Sequence, residues 1–210
     1  MNIKKSEIII LGLILVSFFI GIYFYHQLPE GVWHTPDAHY YDSMSKFWGL
    51  FFMPFILVGL ALLFIAIPRI DPLKENIEKF RKYYDRFVIL FFVFMLSIHF
   101  QEILWNLGIK ISSNLLPIGL GILFFYTGIL CENTKRNWFI GIRTPWTLSN
   151  DIVWDKTHKI GGKLFKIVGV IAFVGIFFQN YLLFFISIPV ILVAVYTIIY
   201  SYIEYRKEIK

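Results

Sequence analysis

The chain has 210 residues, 58% hydrophobic, 20% aromatic and only 16% charged, with a formal net charge of +6. A soluble domain holds about 25% charged residues, so an ordinary water-soluble fold is excluded. The basic residues flank the ends of long apolar blocks, where they orient a membrane protein rather than form a nucleic-acid surface.

Taken in chain order, the first block runs from Ile8 to Tyr25 behind Lys4 and Lys5. It imitates a secretory signal, but no small-x-small cleavage site follows in Tyr25-His26-Gln27-Leu28-Pro29, and it is long enough to span. It reads as a retained helix. The second span is Phe47–Ile67 and carries Pro54, which is tolerable near a helix end or as a kink. Next, Asp71-Pro72 opens a short helix as N-cap and first helical position. Ile77, Phe80 and Tyr84 share one face of that helix, while Glu75/Lys79 and Glu78/Lys82 stand four apart on the others. Its expected place is flat on a leaflet, basic face toward anionic lipid. The third span is Phe87–Trp105. The fourth is Leu115–Cys131, with Pro117 in its first turn, and the lone cysteine, Cys131, reads as a buried thiol. Leu164–Phe178 is short and needs Lys166 to snorkel. Tyr181–Ile203, bent at Pro189, completes a bundle of about six helices, each near the 20 residues that a bilayer requires. Unpaired backbone is forbidden in hydrocarbon, so the fold class is an all-α integral membrane protein. Residues 1–86 read as a two-helix membrane region with an outer loop, and 87–210 as a four-helix region. Gly119, Gly121 and Gly128 read as close-packing positions.

Orientation follows from charge. With both termini inside the cell membrane, every one of the 20 lysines and arginines except Lys46 and Lys110 falls on the cytoplasmic side. Gln27–Ser45 is then outside, and Glu132–Gly162 inside.

That last segment is too long and too aromatic for a linker. It contains Trp138, Phe139, Trp146 and Trp154, which must bury in protein or in the membrane interface. Ser149 is placed to N-cap a helix from Asn150 to about Ile160, with Asp151 in its first turn and Gly161-Gly162 ending it. Asp151, Asp155 and His158 fall on one face. Arg143 needs a planar acceptor, and Asp151, Asp155 or a lipid phosphate would serve.

The run Asn137-Trp138-Phe139-Ile140-Gly141-Ile142-Arg143-Thr144-Pro145-Trp146-Thr147-Leu148-Ser149, followed by Trp154, Thr157-His158 and Gly161-Gly162-Lys163, resembles the signature of the SdpI family of multi-pass membrane proteins. With its flanking helices the resemblance covers roughly Leu115 to the C-terminus. Ahead of it, Leu28-Pro29, His34, Asp42, Ser45-Lys46 and Pro68-Arg69 resemble a two-helix domain of unknown function that often precedes this module, although His39 stands near a place where that pattern expects glycine. The resemblance implies immunity to, or sensing of, a secreted toxic peptide, and possible recruitment of a cytoplasmic transcriptional repressor. It makes Asn137, Phe139, Gly141, Arg143, Thr144, Trp146, Asp151, Trp154, Asp155, His158, Gly161 and Gly162 candidates for binding lipid or a partner.

On the outer face His34, Asp37 and His39, with His99 and Glu102 three apart on the third helix, form a candidate sensing group or metal site. Ionisable groups inside a membrane are functional candidates by default. Two alternative readings use these residues: a small transporter or channel relaying through His99 and Glu102, and a metal-dependent enzyme with an outer-face site. No cofactor is called for, zinc being the metal those donors would suit. No nucleophile, phosphate-binding loop or H-E-x-x-H motif supports an enzyme.

Overall fold

The structure, a computed structural model, describes residues 4–32, 44–109 and 115–209. Among these residues it is all-α apart from one two-stranded ribbon. The elements are α1 (Lys5–Phe24), β1 (Gly31–Val32), β2 (Met44–Ser45), α2 (Lys46–Ile70), α3 (Lys74–Asn106), α4 (Leu115–Asn133), α5 (Pro145–Ser149), α6 (Asp151–Val174) and α7 (Leu182–Glu208). Two 3-10 turns, Gly175–Phe177 and Gln179–Tyr181, join α6 to α7. Among the described residues six helices are long and apolar enough to cross a bilayer: α1, α2, α3, α4, α7 and the stretch Asp151–Phe177. Their exposed large apolar side chains, such as Phe19, Leu62, Ile167 and Leu192, are what a lipid-facing surface requires.

Two expected boundaries are corrected. The short helix after Asp71-Pro72 and the third span are one uninterrupted α3 of 33 residues. Nothing between Lys74 and Asn106 is Gly or Pro, so no residue stops the helix. Its inward face is the expected one, since Ile77, Phe80 and Tyr84 are all buried. Arg81 is buried with them and pairs with Asp85 (2.6 Å) and Glu78 (3.2 Å), so the charged side is not simply a lipid-facing basic stripe. Likewise Gly161-Gly162 do not end a helix: α6 runs straight through them to Val174.

The chain forms two compact units, Met1–Ile65 with Val88–Leu115, and Ala66–Phe87 with Leu116–Lys210. In the first, Leu28, Val32, Leu50 and Ile103 make a buried cluster against Ile20, Phe24, Tyr25, Phe51 and Leu107. The antiparallel pairs Gly31↔Ser45 and Val32↔Met44 close the base of the loop that α1 and α2 bracket. Val32 also presses on Gly49, where a Cβ would come within 2.5 Å of it. Lys46, one of the two charges that broke the topological bias, pairs with Glu30 (2.9 Å) and lies over the Tyr25 ring.

In the second unit α4 and α6 meet backbone to backbone. A Cβ at Gly162 would stand 2.6 Å from Gly128 O, and one at Gly169 2.7 Å from Gly121 O. Each pair of glycines is seven residues apart on its own helix, two turns along one face. Small residues let membrane helices approach in this way. Lys166, expected to snorkel, instead reaches Glu132 at the end of α4 (2.6 Å).

Candidate functional site

The segment between α4 and α6 is a folded platform, and its polar signature residues are mostly spent on building it. Asn137 is fully buried. Its Oδ1 accepts from the N–H groups of Phe139 (2.9 Å) and Ile140 (2.6 Å), and its Nδ2 donates to the carbonyls of Lys135 (2.8 Å) and Ile140 (2.9 Å). One amide side chain therefore supplies the turn with the partners that a strand or helix would otherwise give. Gly141 follows with φ +114, a conformation that L side chains rarely adopt, and any Cβ there would collide with the His158 ring.

His158 holds the loop down. Ile142 N–H donates to its Nε2 (2.8 Å), while Nδ1 lies 2.9 Å from Trp154 O. An Nε2 that accepts and an Nδ1 facing a carbonyl define the neutral tautomer with the proton on Nδ1. The ring stacks on Trp154 at 4.0 Å, one helical turn away, and both are buried. Trp154 Nε1 donates to Thr134 O (3.3 Å), tying α6 to the end of α4.

Thr144 and Thr147 close the next turn. Thr147 N donates to Thr144 Oγ1 (3.2 Å), Thr144 N to Thr147 Oγ1 (2.9 Å), and Thr147 Oγ1 to Ile142 O (2.8 Å). Pro145 then starts α5 at its first position, where its missing N–H costs nothing. Thr144 Oγ1 reaches Ser201 Oγ on α7 (3.0 Å), and Trp146 packs on Tyr202. The cap of α6 is Asn150, one residue beyond the expected Ser149, its Oδ1 accepting from Ile152 N (2.8 Å) and Val153 N (3.2 Å).

The expected pairing of Arg143 with Asp151 or Asp155 is not found. Arg136 Nε takes Asp151 (2.7 Å), and Lys135 takes Asp155 (3.2 Å). Arg143 is exposed and donates from Nη1 to Trp138 O (2.9 Å). Nor do the two aspartates share an environment with His158. They are exposed, whereas His158 lies on the inward face with Trp154, Gly161 and Gly162. A seat for Ile142 explains Gly161, since a Cβ there would strike the Ile142 side chain.

Sequence reasoning missed Asp71 as part of this platform. It closes the turn ahead of α3 by accepting from Leu73 N (2.7 Å), although Pro72 lies in that turn and the helix begins only at Lys74, and its other oxygen accepts from Trp138 N (2.9 Å). Asn76 Nδ2 adds a bond to Arg136 O (2.9 Å). At the far side Lys156 bridges Glu204 (3.0 Å) and Glu208 (2.9 Å) near the end of α7. The α2–α3 turn, the platform and the end of α7 thus meet at one end of this unit. An even number of crossings between them demands that.

Of the outer-face candidates, His34, Asp37 and His39 lie outside the described residues. His99 and Glu102 are buried in the first unit. The His99 ring lies against the Ser17 backbone without reaching hydrogen-bond geometry, and neither nitrogen meets a partner among the described residues. Among the described residues no group of three or more His, Cys, Asp or Glu could hold a metal ion. Cys131 is buried and free.

Fold and site together define a six-helix integral membrane protein whose fourth and fifth spans are joined by an ordered, hydrogen-bonded platform. Residues 133–201 match the model of the SdpI/YfhL protein family, a stretch that contains the whole platform signature. The chain is also 27% identical over 210 residues to the immunity protein SdpI of Bacillus subtilis (strain 168), covering 97% of both chains. No solved structure matches. The chain is thus an all-α multi-pass membrane protein that is similar to SdpI, most specifically across residues 133–201.

Proposed function

We propose that the chain is an immunity protein that protects the membrane of its own cell from a secreted toxic peptide. The observation that carries this is the end-to-end similarity to an immunity protein, 97% of each chain, which takes in the outer-loop region as well as the platform. Both termini and the platform lie on the cytoplasmic side in this reading, because the basic residues gather there. The peptide meets the outer side, to which the charge distribution assigns the segment holding His34, Asp37 and His39 and the end of α3 that carries His99 and Glu102. The platform faces the cytoplasm and is the surface on which a soluble repressor would be held.

The test is rescue. A Bacillus subtilis strain deleted for its own SdpI, and challenged with the toxic peptide it secretes, should grow when it expresses this chain. Death of that strain with the chain present in the membrane at normal levels would contradict the reading. Orientation is checked separately. A thiol reagent applied from outside should label Thr35→Cys and spare Ser149→Cys, and the reverse pattern would overturn the topology.

A further inference from the structure

Two platform side chains make no hydrogen bond within it, and a third, Arg143, spends only one of its donors there. Trp138 is 52% exposed and Phe139 39% exposed, in a loop where their neighbours Asn137 and Ile140 are buried. Their display is rigid, because Asn137 fixes the turn on one side and Asp71 holds Trp138 N on the other. Arg143 reaches back across the same loop to Trp138 O. A guanidinium has five N–H donors, and this bond uses one. Among the described residues no carboxylate pairs with it, since Asp151 and Asp155 are held by Arg136 and Lys135. The two neighbouring cations are thereby compensated, and Arg143 is left as a local positive charge in the loop that displays the two exposed rings.

The level of this patch is set by Asp71. It follows directly on α2, whose last residue, Ile70, is apolar and 60% exposed. Trp138 is bonded to Asp71 and therefore stands where a membrane-crossing helix leaves the hydrocarbon. Tryptophan prefers that zone, and arginine prefers an acceptor that takes two parallel bonds, as phosphate does.

We propose that Trp138, Phe139 and Arg143 seat the phosphate of an anionic phospholipid, the rings entering the headgroup layer and the free guanidinium edge binding the phosphodiester. The net negative charge of such a lipid complements the uncompensated Arg143. The inference rests on the membrane placement of the chain and not on the immunity reading, so the two can fail separately.

The full chain is placed in nanodiscs of phosphatidylcholine containing a small fraction of phosphatidylglycerol, one lipid or the other carrying bromine on its acyl chains. Quenching of Trp138 is read as the difference between the native protein and Trp138→Phe. Brominated phosphatidylglycerol should quench this component more strongly than brominated phosphatidylcholine at equal mole fraction. Arg143→Gln, which can still donate to Trp138 O, should need about tenfold more phosphatidylglycerol for the same effect. Arg143→Lys, which keeps the charge without the fork, should fall between them and guards against loss of folding in the glutamine variant. Millimolar inorganic phosphate should not compete. Equal quenching by the two lipids, no Trp138 quenching at all, or an undiminished preference in Arg143→Gln would overturn the proposal. Competition by inorganic phosphate would reassign the patch to a soluble anion and overturn the lipid source.

Discussion

Two histidines, each shut off from solvent, divide this molecule into two kinds of polar interior. In the platform His158 has both ring nitrogens engaged, one accepting from Ile142 N–H and the other facing Trp154 O. In the first unit His99 is just as deeply buried, yet neither nitrogen finds a partner among the described residues. The first histidine is a fastener for a loop that has no regular structure of its own. The second is held less firmly: it lies against the Ser17 backbone and makes no hydrogen bond of full geometry among the described residues, so its burial is less well compensated. A buried histidine in a signature motif is thus better evidence of architecture than of chemistry.

The contrast can be broken most forcefully at the glycines that let the platform's helices close. Gly162→Val should abolish accumulation of folded protein in the membrane, because a side chain there meets not only the Glu132 side chain but also the Gly128 and Glu132 backbone, which cannot move aside. Western blotting of membranes against the native level measures this. Normal levels with unchanged unfolding would mean that α4 and α6 do not touch there. Trp154→Ala should come next, destabilising by about 3–5 kcal/mol as a fully buried aromatic is lost. His158→Leu should cost about 1–3 kcal/mol, since it strands the Ile142 N–H inside protein. Both are read from denaturation midpoints in one detergent. His99→Leu should leave the midpoint close to native, because an unbonded polar ring is replaced by an apolar group of similar volume. The same variant should nonetheless weaken protection in the rescue assay. A large loss of stability at His99, or none at His158, would erase the distinction between the two interiors.

The spans were legible because nothing in the chain imitates 20 apolar residues, and the aromatic segment was legible because no linker needs four large rings. What escaped were meanings that depend on a distant partner. Gly161-Gly162 before Lys163 look like a helix end, and only the facing backbone of α4 reveals that they permit contact. A signal was present: Gly121 and Gly128 on one helix repeat the spacing of Gly162 and Gly169 on another. Asp71 does shape the turn that leads into α3, but its second oxygen serves Trp138, 67 residues on, and local patterns carry no trace of that. Of the acceptors the sequence offers Arg143, the two carboxylates belong to other cations. Lys135 and Arg136 reach the same aspartates, and charge alone does not rank three basic residues in one loop.

The most direct measurement is amide hydrogen exchange across 137–144 in the full chain. These residues belong to no helix or strand, so an ordinary loop would exchange within seconds. The N–H groups of Phe139, Ile140, Ile142 and Thr144 are instead held by Asn137, His158 and Thr147, and protection comparable to that of α6 is expected. It should fall selectively at Ile142 in His158→Leu and stay unchanged in His99→Leu. Rapid exchange throughout the segment in the native protein would contradict a platform built by its own polar side chains.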